Sequence, residues 1–335
     1  MTITRRHALA AMGATGVALA APALAQGTKL RVGALRFTSH SPSFVALERG
    51  YFADAGLDVE LEFFQAAQPM AVAIASGDVD YAMTAMSGGL ISLADKGAIK
   101  VIGGGLSEEA GIDGQKILAS DAAYRDGVTT PAGLAGKRFG MTTAGSSFHY
   151  MGSKIAEAEG IEMSFVPLQK VGAVIGALRS DQIDGWSIVP HIAKPIAGTG
   201  EVHVIGDVSD YLPDYQVTTV FTSTANAGDR DRTQAFLDAF GRGVTDYNTT
   251  MIDRAGGDEG VDAMVDLIHR YVYTDRERER AAPSIIDGTM RINEGAALNV
   301  ASLQDQLSWF QSEGLVDADI ALDAIVDDSF VRTVG

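Results

Sequence analysis

The chain has 335 residues, with 26 Lys+Arg against 43 Asp+Glu, a formal net charge of −17 and no cysteine. Such a charge repels phosphate backbones and anionic lipid, which excludes nucleic-acid binding. The missing cysteine excludes disulfides, thiolate metal sites and cysteine nucleophiles.

Residues 1–25 read as a signal peptide. Arg5 and Arg6 form a charged start, an Ala-rich run follows from Ala8 to Ala21, and Ala23-Leu24-Ala25 offers a small-x-small cleavage site. The run is too short to span a bilayer as a mature helix. Thr4-Arg5-Arg6-His7-Ala8-Leu9 reads as a twin-arginine signal; an ordinary secretory signal with two adjacent arginines is the alternative. The mature chain is expected to start near Gln26, in the periplasm, without a lipid anchor there because no Cys follows. Roughly 310 residues then remain, enough for two ordinary domains.

The mature part repeats itself. Leu30-Arg31-Val32-Gly33 and Lys137-Arg138-Phe139-Gly140-Met141 read as short buried strands. Each leads through a Ser-rich turn into a helix. The first helix is expected to be capped by Ser41 with Pro42 at its first position and to stop at Gly50. The second is expected from Ser146-Ser147 to Gly160. Ala73 to Asp80 then answers Ala177 to Asp184, and Lys100-Val101-Ile102-Gly103 answers His203-Val204-Ile205-Gly206. Three matches in order, at closely similar spacing, mark a repeat.

Strand alternates with helix in each copy, so the expected class is α/β, with two lobes that are each a mainly parallel sheet flanked by helices. Gln115–Ser120 and Gln216–Thr222 read as two crossover segments of a hinge. The expected division is lobe I at 26–120 plus 218–335 and lobe II at 121–217. Beyond the repeat, 232–250, 260–273 and 297–313 have helical spacing and are expected to pack back on lobe I.

Ligands of open α/β sheets sit outside the carboxyl ends of the strands, where helix N-termini present unpaired N–H groups. In lobe I this picks out the loops holding Arg36, Phe37 and His40, then Gln65 and Gln68, then Thr84, Met86 and Ser87. In lobe II it picks out Thr143, Gly145, Ser146, Ser147 and His149, then Trp186 and His191. Hydroxyls, aromatics and Gln suit a pocket with an apolar body and a few polar anchors. Ser41, Ser87 and Ser147 read as helix caps before ligand contacts, and Phe37, Phe148 and Trp186 have core as their alternative; Arg36 can pair with an anionic ligand or a surface carboxylate. His40, His149 and His191 lie on separate loops without ligand spacing, so no metal and no cofactor is expected.

At these residues the chain resembles the nitrate, sulfonate and taurine type of ABC substrate-binding protein, a family that also includes binders of thiamine's pyrimidine precursors. The resemblance rests on Ala46-Leu47-Glu48-Arg49-Gly50-Tyr51-Phe52, Ala55-Gly56-Leu57-Asp58-Val59, Ser76-Gly77-Asp78-Val79-Asp80 and Gly145-Ser146-Ser147-Phe148-His149-Tyr150. It implies a type II periplasmic binding protein, a Venus flytrap that closes on a ligand by hinge motion and docks on a membrane permease with its ATPase. It also implies that Thr84–Ser87, Gly145–Ser147 and the first-strand turn line the cleft. A monomer is expected. Where many relatives carry an acidic or aromatic pair before a proline, this chain has Ser187-Ile188-Val189-Pro190-His191. The ligand thus stays open among sulfonate, nitrate, carboxylate, aromatic acid and pyrimidine.

Two other functions compete. Pyrimidine-precursor synthases share the fold but depend on a Cys-rich stretch, and this chain has neither that nor a nucleophile-elbow, zinc-protease or Walker motif; an enzyme is not expected. A ligand-sensing module for a membrane kinase would have the same fold.

Overall fold

Short apolar runs bounded by helices set the architecture, because a strand buried on both faces must be apolar throughout. The computed structural model describes residues 29–109 and 111–335; the expected signal at 1–25 and the start at Gln26 lie outside them. Ten strands form two sheets: β1 (Lys29–Leu35), β2 (Asp58–Phe64), β3 (Tyr81–Thr84), β4 (Ile99–Gly104), β5 (Lys116–Ser120), β6 (Arg138–Met141), β7 (Ser164–Pro167), β8 (Gly185–Ile188), β9 (Val202–Asp207) and β10 (Thr219–Ser223). The first sheet runs β2-β1-β3-β10-β4 and the second β7-β6-β8-β5-β9. In each, the fourth strand alone is antiparallel to its neighbours and is supplied by the chain as it leaves the other copy.

The repeat extends to bonding detail. The Asp80 carboxylate accepts the Arg31 amide at 2.7 Å, and that of Asp184 accepts the Arg138 amide at 2.8 Å. Both antiparallel strands carry a register shift at the same place, between Val220 and Phe221 and between Ile117 and Leu118.

This corrects the expected lobe boundary. Lys116–Ser120 lies inside the second sheet, because the apolar Ile117-Leu118-Ala119 is fully buried only between β8 and β9. The crossings are residues 105–115 and 208–218, which pair with each other: the Val217 amide donates to Leu106 at 2.8 Å and the Glu108 amide to Tyr215 at 2.9 Å.

Helix boundaries follow local chemistry. The second-copy helix is Ser147–Glu159, with Ser146 as its cap and Gly160 left-handed at its end (φ 64°). The first-copy helix is Ser41–Glu48, so Ser41 lies inside it; a tight turn at Thr38–His40 feeds directly into the helix and His40 takes the cap position. The C-terminal helices are Arg230–Tyr247, Gly257–His269, Arg278–Asp287 and Val300–Ser312. Phe236 of the first stacks between Phe52 and Tyr81 of lobe I, at 5.3 and 4.1 Å between ring centroids. Gly243 lets that helix approach Pro42, whose carbonyl would lie 2.3 Å from an added Cβ. Among the described residues no helix is long and apolar enough to cross a membrane.

Candidate functional site

The two sheets point the carboxyl ends of their parallel strands at each other across a cavity of about 60 Å³. Its lining comes from matched positions of the two copies. Leu35 ends the first strand of lobe I and Thr142 directly follows that of lobe II, while Thr84 and Ile188 end the third strands. Ala67 and Val171 open matching helices, and Gln115 and Thr218 immediately precede the two antiparallel strands. Phe37, Ser39, His40, Ser146, Ser147 and Phe148 complete the polar and aromatic part.

Among the described residues no charged side chain lines this cavity. Its polarity comes from helix starts. The helices Ala67–Ser76, Ser147–Glu159 and Val171–Arg179 all begin at its wall, and none has a side-chain cap. A helix leaves its first N–H groups without intrahelical partners, and these carry the positive end of its dipole. The Ser146 hydroxyl is buried and has no hydrogen-bond partner. His40 is likewise buried, and burial lowers its pKa to about 3, so the ring is neutral. Its Nδ1 accepts the Leu35 amide at 3.2 Å, which puts the ring proton on Nε2 and makes that atom a donor.

A larger chamber of about 550 Å³ lies beside the cavity and shares the walls Leu35, Phe37 and Val171 with it. Arg36, Gln65 and His191 line this outer space. His191 is buried and neutral, its pKa lowered to about 3 by burial and then by His40, and its Nδ1 lies 3.0 Å from the Thr38 hydroxyl of the opposite lobe.

The remaining candidates have other work. Ser87 caps its own helix, accepting the Leu90 amide at 3.2 Å. Gln68 packs beside Gly89, and Met86 sits in the core against the Thr219 hydroxyl. Gly145 passes its carbonyl to the Gly88 amide at 3.0 Å, joining the lobes. His149, whose pKa burial lowers against the opposing pull of Glu313, turns away from the cavity toward Trp309, 5.2 Å between centroids. Thr143 contributes its carbonyl to the Ser146 amide at 3.1 Å and lines neither space, whereas its neighbour Thr142 does. Trp186 is a correction: it is fully buried in lobe II against Phe148 and lines neither space, because it sits two residues deeper in its strand than Ile188, which shares its face and reaches the cavity at the strand's end. Ser39 and Thr142 belong to the loops that the sequence picked out, though not to its candidate residues; Gln115 and Thr218 escaped the sequence reading. Matching the repeat across the crossover strands would have found Gln115 and Thr218.

Direct contacts hold the lobes shut on both flanks. On one, Lys194 donates to the Asp287 carbonyl at 2.7 Å and the Tyr273 hydroxyl donates to the His191 carbonyl. On the other, Lys154 donates to the Asp305 carboxylate at 3.1 Å, and Trp309 meets both His149 and Tyr150. Among the described residues no group of three or more His, Asp or Glu is placed to hold a metal ion.

Residues 37–249 match the family model described as NMT1/THI5 like. No curated protein sequence matches the chain. Among solved structures, the periplasmic nitrate-binding protein NrtA of Synechocystis PCC 6803 is 14% identical, with a TM-score of 0.71 over 91% of this chain and 87% of that one. The alkanesulfonate-binding protein SsuA of Xanthomonas axonopodis pv. citri, bound to MOPS, is 15% identical, with a TM-score of 0.69 over 91% and 99%. A ligand-binding component of an ABC-type import system from Staphylococcus aureus, with zinc bound, is 16% identical, with a TM-score of 0.69 over 90% and 97%. These likenesses establish the periplasmic-binding-protein fold.

Proposed function

The chain belongs to the NMT1/THI5 like family, and from that premise we propose that it is an exported solute-binding protein that captures a small organic ligand, anionic or heterocyclic, between its lobes for an ABC importer. The observation that carries this reading is the inter-lobe cavity itself: uncharged, walled by three helix starts without side-chain caps, with the Ser146 hydroxyl unpartnered beside it. Such a wall offers hydrogen bonds to an acceptor-rich group without spending a counter-charge. Bonds across the cleft flanks give closure its geometry, and a ligand that binds the closed form shifts the population toward it.

The reading is of capture, not chemistry. Among the described residues, no hydroxyl lining the cavity is hydrogen-bonded to an imidazole, the pairing that activates a nucleophile. Export through the twin-arginine route, periplasmic residence, a permease and ATPase as partners, and action as a monomer belong to the same proposal.

The test is a thermal-shift panel on protein refolded to remove carried-over ligand. Nitrate, taurine, alkanesulfonates, aliphatic and aromatic carboxylates and thiamine-related pyrimidines form the panel. At one hundred times its dissociation constant a ligand adds about 2.7 kcal/mol of stability. A shift with one class, weakened in Ser146→Ala, supports capture in this cavity. Turnover of a panel member would refute capture without chemistry.

A further inference from the structure

The cavity and the outer chamber together narrow the ligand class. This inference rests on the capture reading and deepens it. We propose that the ligand is an elongated organic dianion: one acidic group sits in the inner cavity, an apolar body passes Phe37, and the second acidic group lies between Arg36 and Arg276 in the outer chamber.

Size comes first. The inner cavity of about 60 Å³ is far below the roughly 300–1,000 Å³ of pockets that enclose organic ligands. It accommodates a polar head and little else. The outer chamber of about 550 Å³ adjoins it, with Leu35, Phe37 and Val171 as shared walls, and is also walled by Phe63, Phe64, Tyr273, Ile175 and Ile192, which offers a body apolar contact from both lobes.

Charge comes second. In a chain of net charge −17, no carboxylate among the described residues lines either space. Three arginines line the outer chamber. Arg179 is paired with Glu201 at 2.5 Å. Arg36 and Arg276 make no ion pair among the described residues. Each instead lies over a ring, Arg36 over Phe63 at 3.9 Å and Arg276 over Tyr273 at 4.4 Å from the centroid. A guanidinium laid on an aromatic face keeps its edge N–H donors for a planar anion. Arg36 commits a donor to the Tyr271 carbonyl at 2.9 Å, which fixes its position and leaves the rest.

The test is calorimetric titration of refolded protein with nitrate, benzoate and terephthalate, at low and high salt. Terephthalate is expected to bind about fivefold tighter than benzoate at low salt, the gain from an exposed ion pair. High salt should shrink that preference. In the Arg36→Gln/Arg276→Gln double variant the ratio should fall toward one, while the double Lys variant, which keeps the charge, should retain most of it. Circular dichroism and the unliganded Tm establish that the variants fold. A preference of one in the wild type, or one that survives the Gln substitutions, overturns the dianion. Binding of nitrate or benzoate without a terephthalate preference sinks the dianion and leaves capture standing. Failure of all three to bind also sinks it, and capture then rests on the wider panel.

Discussion

The two lobes share a scaffold and differ where they face each other. Both have the same strand order, the same Asp-to-amide bond and the same register shift. At the cleft the matched positions diverge. Where lobe I ends its first strand in Leu35, lobe II has Thr142; where lobe I ends its third in Thr84, lobe II has Ile188. Both copies have a histidine whose Nδ1 accepts a nearby backbone amide, yet His40 lines the cavity and His149 packs on Trp309. The difference teaches that packing held the strands constant while the residues around the cavity diverged, so that each lobe supplies a different part of one asymmetric wall.

The largest expected effect tests a position where the scaffold itself differs. Trp186 stands where lobe I has Ala82, and it is completely buried. Trp186→Ala should cost about 3–5 kcal/mol and lower the melting temperature in calorimetry. If Trp186 touched ligand instead, the variant would keep its stability and lose affinity.

Acid should act next, through both lobes. His40 and His191 have pKa values lowered to about 3, below the 6.5 of the free side chain. The unfolded chain therefore binds more protons between those values, and stability should fall as the pH drops from about 6.5 toward 3. Glu108, in the first crossing, runs the other way. Burial raises its carboxyl to about 7, against the hydrogen bonds from Gln115. Its contribution is full below about 4.5 and is lost as the pH rises through 7. Glu108→Gln should raise the melting temperature at pH 8 relative to the parent and change it little at pH 5. An equal shift at both pH values would show that titration at Glu108 is not the cause.

Gly288 sets how closely lobe I meets His191. A Cβ there would lie 2.1–2.5 Å from the Cβ, Cα and N of His191, so Gly288→Ala must push the lobes apart locally. Overpacking of this kind costs about 1–3 kcal/mol. The expected result is weaker ligand binding by calorimetry, with far-ultraviolet circular dichroism unchanged; undiminished affinity would show that this flank does not govern closure.

The smallest effect compares the two Asp bonds directly. Arg138 adds a two-pronged contact to Asp184, at 2.9 and 2.7 Å, whereas Arg31 reaches the Gly77 carbonyl at 3.1 Å. Arg138→Ala should cost about 1 kcal/mol or less, and Arg31→Ala less again, in urea unfolding. The reverse order would contradict the assigned asymmetry.

The sequence by itself determined what depends on neighbours along the chain. Apolar runs fixed the strands, Ser146 and Gly160 fixed a helix and its ends, and repeated spacing showed two lobes facing across a cleft. Five of the fifteen candidate residues, Phe37, His40, Thr84, Ser146 and Ser147, line the cavity. Tertiary structure alone decided the rest. Strand exchange placed Gln115 and Thr218 at the cavity, through pairings more than a hundred residues apart in the case of Thr218. Burial took Trp186 out of it, and local capping claimed Ser87. Whether a side chain at a strand end faces core, cap or cleft depends on what the other lobe and the returning chain bring against it, and that contact has no local signature in the sequence.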